Sequence, residues 1–306
     1  MRLDRLSESA GGPRPSSALA RQARAEQLAA TLPPLLVAAE RVAATVAQGV
    51  HGRRRVGQGD TFWQFRPYQP GDAADQIDWR QSGKSDRVFV RETEWEAVQT
   101  VWLWRDGSGS MRYRSRPDLP EKAERAELLL LAMASLLTRA GEHVAMMGEA
   151  LLPSGSREML SRMALLLSDH SRPGSALPPP APLARHARVV LIGDLLAPLP
   201  EIDRAFRAIA AKGVRAAVLQ VLDPAEETLP FSGRTRFFGL EEEGEALIPR
   251  VESVRADYER VLAQHLGGLA DICRTLGFTF LSHRTDRPAQ SPLLLLYQAL
   301  AVDRRR

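Results

Sequence analysis

The residues of this chain best suited to chemistry are Asp106, Ser108 and Ser110, spaced by Gly107 and Gly109 at the end of the apolar run Val101-Trp102-Leu103-Trp104. One carboxylate and two hydroxyls at alternate positions of a tight loop form an all-oxygen donor set. A hard divalent cation such as Mg2+ takes such donors in octahedral geometry and keeps several waters. The glycines, lacking a Cβ, let the backbone curl until the three side chains point inward together. A second carboxylate, Asp194, ends the run Val189-Val190-Leu191-Ile192-Gly193. A parallel sheet would bring that strand end near the first loop, so Asp194 is expected to bind the cation directly or through water. The same five residues also suit a plain polar strand-to-helix loop, because Asp, Ser and Gly are favoured in caps and turns. By themselves they leave both readings open.

A second set of groups, Asp72, Asp78 and Lys84, suggests a different chemistry. In a metal-dependent nuclease or hydrolase, acids hold the ion and a lysine supports the attacking water. Their spacing matches no strong motif, and ion pairing accounts for them equally well. The six histidines form no ligand cluster. The single cysteine, Cys273, excludes an intrachain disulfide, and its setting in Ala270-Asp271-Ile272-Cys273 reads as an apolar helix face with an inert thiol.

The elements that must position these groups follow from periodicity. Residues 1–20, rich in Ser, Gly, Pro and Arg, bury too little to repay ordering and are expected to be a disordered leader. Residues 21–98 form an N-terminal helical and β-rich region. Pro33-Pro34 breaks its first part into two helical pieces, and the aromatic, Gly- and Pro-rich stretch 56–80 suits strands and turns. Val88 to Trp104 alternates as two strands, expected as a hairpin or as neighbours. Residues 99–306 then alternate strand and helix: a long helix from about Pro120 to Arg139, strands at His143, Arg188, Val214 and Phe278, and helices between them. Such alternation predicts an α/β fold, a doubly wound and mostly parallel sheet with flanking helices.

Composition limits the function classes. A chain of 306 residues with 44% hydrophobic content buries a sizeable core. The apolar run Leu128 to Leu137 is about half of the roughly 20 residues a membrane-spanning helix needs. No signal-peptide core is evident, which makes the cytoplasm the default location. Residues 1–60 hold nine Arg against five acids, and the rest of the chain is balanced with 32 basic and 32 acidic residues. Arg53-Arg54-Arg55 and Arg304-Arg305-Arg306 lack aromatic interleaving, so solvated tails are favoured over a nucleic-acid or lipid surface.

Two resemblances sharpen the picture. Asp-x-Ser-x-Ser after an apolar strand, with a later strand ending in Asp, resembles the metal-ion-dependent adhesion site of von Willebrand factor A domains, with Asp106, Ser108, Ser110 and Asp194 in the matching places. Those domains also use a Thr from an intervening loop, where Pro173-Gly174-Ser175-Ala176 offers only Ser175. They usually have an apolar residue where Arg105 stands, and strand alternation turns Arg105 to the face opposite Asp106. The segment Arg66-Pro67-Tyr68-Gln69-Pro70-Gly71-Asp72, followed by Gln76-Ile77-Asp78-Trp79-Arg80, resembles the signature of the bacterial domain of unknown function 58. There Pro70-Gly71 forms a turn, Asp72 caps it, Tyr68 and Trp79 clamp it, and Arg66 pairs with Asp72 or Asp78. The resemblance implies a von Willebrand factor A-like half and a non-catalytic, Mg2+-dependent binding role beside a MoxR-type AAA+ ATPase in assembling or maturing other proteins.

Overall fold

The computed structural model describes residues 34–50, 62–68, 77–84, 87–93, 99–169, 174–185, 187–241 and 244–301. The expected leader and the first helical piece lie outside them. Helix α1 (Pro34–Val50) starts at the second of the two prolines, where a missing N–H costs nothing. Strand β1 (Phe62–Pro67) then pairs antiparallel with β2 (Phe89–Thr93), with a register shift between Phe62 and Gln64. Between them the expectation of strand and turn fails at one place. Helix α2 (Trp79–Ser82) is a single turn, nucleated because the Asp78 carboxylate accepts a hydrogen bond from the Gln81 N–H at 2.8 Å.

The expected pairing of the next two strands also fails. β2 stays with β1, whereas β3 (Thr100–Arg105) enters a separate five-stranded sheet. Its run Val101 to Trp104 is buried on both faces, which requires helices above and below and suits a central parallel strand.

The sheet is completed by β4 (His143–Met146), β5 (Arg188–Gly193), β6 (Arg215–Leu222) and β9 (Thr279–Arg284), in the order β4-β3-β5-β6-β9 with every pair parallel. The connections are α3 (Lys122–Arg139), α4 (Arg157–Ser168), α5 (Leu199–Ala210), the one-turn α6 (Pro224–Thr228), the antiparallel hairpin β7 (Thr235–Phe238) and β8 (Glu245–Ile248), α7 (Arg255–Thr275) and finally α8 (Gln290–Ala301). This is the α/β arrangement that the alternation predicts.

Alternate side chains of the strands fill two cores. Val101, Leu103, Val190, Ile192 and Leu219 face α3, α4 and α8. Trp102, Trp104, Val189, Leu191 and Val218 face Ile202 and Phe206 of α5 and Leu269 and Cys273 of α7. Cys273 is buried, and desolvation pushes its thiol up to about 12, which keeps it protonated and unreactive. Helix α1 joins the first core: Leu36, Ala39, Ala43 and Val46 form one stripe, and the alanines allow a close approach to α3. The helix therefore belongs to the α/β body rather than to the strand pair that follows it. Among the described residues no helix is long and apolar enough to cross a membrane.

Candidate metal centre

The chain leaves β3 for β4 on one side, and β5 lies on the other, so the strand order reverses between β3 and β5. The crevice outside the carboxyl ends of strands at such a reversal is where open α/β sheets bind ligands. Asp106 follows β3 and Asp194 follows β5. The Asp106 N–H donates to the Ile192 carbonyl at 2.8 Å, which docks the first loop on the second strand. Gly193 makes this approach feasible, since a Cβ there would lie 2.6 Å from the Asp106 Cβ. Gly107 abuts Gly174 in the same way, with 2.7 Å between an added Cβ and the Gly174 Cα.

The four residues expected to share a site are brought together as a hydrogen-bonded chain. Ser108 donates from its N–H (2.9 Å) and its hydroxyl (2.5 Å) to Asp106 Oδ1. The Ser108 and Ser110 oxygens are 3.0 Å apart, and the Ser110 hydroxyl donates to Asp194 Oδ2 at 2.6 Å. Asp194 is further fixed by the Leu196 N–H on its Oδ1 (3.3 Å) and by Gln220 Nε2 on its carbonyl (2.9 Å). Ser175 stands apart: its carbonyl accepts from the Gly107 N–H at 3.2 Å, while its hydroxyl accepts from the Leu177 N–H at 3.1 Å.

Asp106 carries the tension of the site. It is fully buried, and its Oδ2 has no hydrogen-bond partner among the described residues. Burial first, then the neighbouring Asp194 charge, pushes its carboxyl up to about 7. The Ser108 and Ser110 hydroxyls, in hydrogen-bond contact with each other, link this carboxylate to Asp194. A cation bound here would offset the like charges of Asp106 and Asp194 and give the bare Oδ2 a partner. The 3.0 Å between hydroxyls also suits two neighbouring ligands of an octahedral ion, whose edge is about 3 Å for arms of about 2.1 Å. The residues present therefore fit Mg2+. Among the described residues no group of three or more His, Cys, Asp or Glu side chains is placed to hold a metal.

Sequence reasoning missed the neighbours that complete the site. Lys122, the first residue of α3, is wholly buried, with its Nζ 2.8 Å from Asp194 Oδ2 and 2.5 Å from Glu226 Oε1. Burial opposes its charge, but the two carboxylates outweigh that and hold its pKa above the ordinary lysine value. Glu226 is itself anchored, its Oε2 accepting from the Asp223 N–H at 2.8 Å. Asp223 in turn accepts from Ser115 and Ala225. The tip of the β7–β8 hairpin also reaches the loop. Ser110 N–H donates to Glu241 Oε1 at 2.9 Å, and the Leu240 carbonyl lies against Gly109 where a Cβ would stand. Leu195, next to Asp194, adopts φ 52°, a left-handed conformation costing a non-glycine residue about 1 kcal/mol, and His265 contacts its carbonyl at 2.7 Å.

Arg105 lies on the α3 side with Val101 and Leu103, and its guanidinium is 3.2 Å from Glu127. It also donates to the Asp106 carbonyl at 3.2 Å, so its charge is partly met before it bears on the site. Burial pushes the Glu127 carboxyl up to about 7 in spite of that arginine.

The Pro-Gly-Asp segment is only partly visible. Pro70, Gly71 and Asp72 lie outside the described residues, as does the side chain of Arg66. Of the two residues expected to clamp the turn, Trp79 is 69% exposed and Tyr68 40%, and the turn itself lies outside the described residues. Trp79 opens the one-turn helix α2. Asp78 serves as the cap of that helix, and Lys84 sits in the exposed turn after it.

Residues 64–267 match the family described as "Protein of unknown function DUF58". Uncharacterized proteins of Mycobacterium bovis and Mycobacterium tuberculosis are 27% identical over 287 residues, covering 85% of this chain and 86% of theirs. An aerotolerance-related membrane protein from Bacteroides fragilis, solved with multiple mutations to serines, aligns at a TM-score of 0.41 and 16% identity, covering 67% of this chain and 99% of that one. The conserved hypothetical protein BatB from Bacteroides thetaiotaomicron aligns at 0.39 and 17%, covering 67% and 100%.

Proposed function

We propose that this chain, which belongs to the DUF58 family of proteins of unknown function, is a non-catalytic protein-binding adaptor whose contact point is the Asp106 loop. The observation that carries the proposal is the buried, unpartnered Asp106 Oδ2 at a strand-order reversal, beside two facing hydroxyls and a second carboxylate. Asp106, Ser108 and Ser110 would hold Mg2+, with Asp194 acting directly or through water. When bound, Mg2+ supplies an open coordination position for a carboxylate from the partner. Gly107 and Gly193 keep the loop close enough to the strand ends for these donors to converge. Asp194, tied by Ser110, Leu196 and Gln220, holds its oxygen in place before any ion arrives. Glu241 at the loop's rim accepts from the Ser110 N–H and adds a negative charge beside Asp106, which would favour a cation there.

The resemblance to metal-ion-dependent adhesion sites supports this use of the donor set. For the partner, the family resemblance points to a MoxR-type AAA+ ATPase in the cytoplasm, with which the chain would assist assembly or maturation of client proteins. The test is a binding titration against a MoxR-type ATPase encoded beside the gene, in Mg2+ and in chelator, with the wild-type chain and Asp106→Ala. Chelation and the substitution are each expected to weaken binding at least about tenfold, the loss of one charge-assisted contact. Equal affinity under all conditions would sink the metal bridge.

A further inference from the structure

We infer that Lys122 is a resident cation of the Asp106–Asp194 site, a fixed positive charge supplied from α3 that restrains how tightly the site takes a divalent ion. The inference rests on the proposed metal-dependent role and adds a control to it. Lys122 stands at the first position of an 18-residue helix, where the macrodipole disfavours a positive charge. Its ammonium is also fully buried, although desolvating an ion costs several kcal/mol and a buried ion pair is a weak source of stability. Both local electrostatics and burial therefore work against a lysine here, and what it gains is two carboxylates, Asp194 and Glu226.

The consequence lies in Asp194 Oδ2. That oxygen accepts from Lys122 Nζ and from the Ser110 hydroxyl, so both of its lone pairs are engaged. Through Oδ2, Asp194 reaches an ion directly only by releasing one of these donors, which leaves it Oδ1, held by the Leu196 N–H alone. While Lys122 stays, a divalent ion finds Asp194 Oδ2 already engaged, is left the bare Asp106 Oδ2, and also feels the repulsion of a nearby ammonium. An ion held this loosely keeps more of its charge for an outside carboxylate. Lys122 thus trades metal affinity for attraction to a partner, and Glu226 anchors the ammonium from the far side.

The experiment is a titration of the full chain with Mn2+, followed by the electron paramagnetic resonance of the free ion, without any partner. It compares wild type, Lys122→Met and the charge-compensated Lys122→Met/Glu226→Gln, each checked for cooperative unfolding. Removing the ammonium is expected to tighten Mn2+ binding at least about tenfold in whichever variants fold, the effect of deleting one neighbouring like charge at intermediate dielectric. A merely structural lysine would give the opposite sign, since loosening Asp194 weakens the ion. If wild type binds Mn2+ and the variants bind no more tightly, the inference is overturned and the metal-dependent role stands. If wild type binds none and the variants acquire it, the inference holds and the metal bridge fails for the natural chain. Absence of binding in all three overturns both.

Discussion

Asp78 caps the single turn of α2, whereas Asp106 lies two residues before Ser108, the cap of the 3-10 turn Gly109–Met111, and each accepts a hydrogen bond from a backbone N–H two or three residues on. Their surroundings part there. Asp78 is half-buried beside the exposed Trp79. Asp106 is sealed beneath Gly193 and Gly107 with one oxygen bare and another carboxylate close by. The same side chain is thus content as a cap at one place and needs a proton or a cation at the other. Burial, more than the count of acids, separates a site from a turn.

The sharpest break of that contrast is Gly193→Ala. An added methyl meets the Asp106 Cβ at 2.6 Å, with strand backbone on either side that cannot yield. We expect a loss of about 3 kcal/mol or more by urea unfolding, or failure to fold. A neutral result would mean that the two loops are not held together as described.

Next in size is the pH response in chelator. The folded chain holds a proton on Asp106 up to about 7, whereas the unfolded chain releases it near 3.8. The folded state therefore binds more protons in that window, and stability falls as pH rises from about 4 to about 7, then levels off. Asp106→Asn removes this slope and should be more stable than wild type at pH 8 by about 2 kcal/mol. Glu127, also raised to about 7, adds a parallel slope that Glu127→Gln removes. An unchanged slope in Asp106→Asn would place the burden elsewhere.

Smallest is Asp78→Ala, which deletes a helix cap and should cost about 1 kcal/mol. It should leave Mn2+ binding untouched. If it weakened the ion as an Asp106 variant does, the two regions would not differ in kind.

Much of the fold is legible in the sequence because β3, β5 and β6 are mainly apolar runs each followed by an Asp, and because Gly141, Gly213 and Gly277 close the intervening helices in left-handed conformations. The convergence of Asp106, Ser108, Ser110 and Asp194 is legible for the same reason: parallel neighbours end side by side. The separation of β2 from β3 is not, since alternation says that a strand exists and nothing of which strand it pairs with. Lys122 is hidden because a lysine near a helix start usually reads as solvated. The one available signal was its company: Glu124 accepts from the Glu121 N–H at 2.9 Å, a pattern that fixes the helix start and leaves a cation where the dipole opposes it. Glu226 and Glu241 lie 104 and 131 residues from their partners, a pairing that no local pattern announces.

Helix α1 bears on how this protein can be divided. The stretch shared with the family begins inside β1 and stops within α7, yet Leu36, Ala39, Ala43 and Val46 upstream and Leu293, Leu296 and Leu300 downstream line one continuous core. A fragment trimmed to the shared stretch would bare the outer flank of α3 and discard β9. The stretch matched by the family is shorter at both ends than the core it belongs to, and any excision should run from before Pro34 to beyond Ala301.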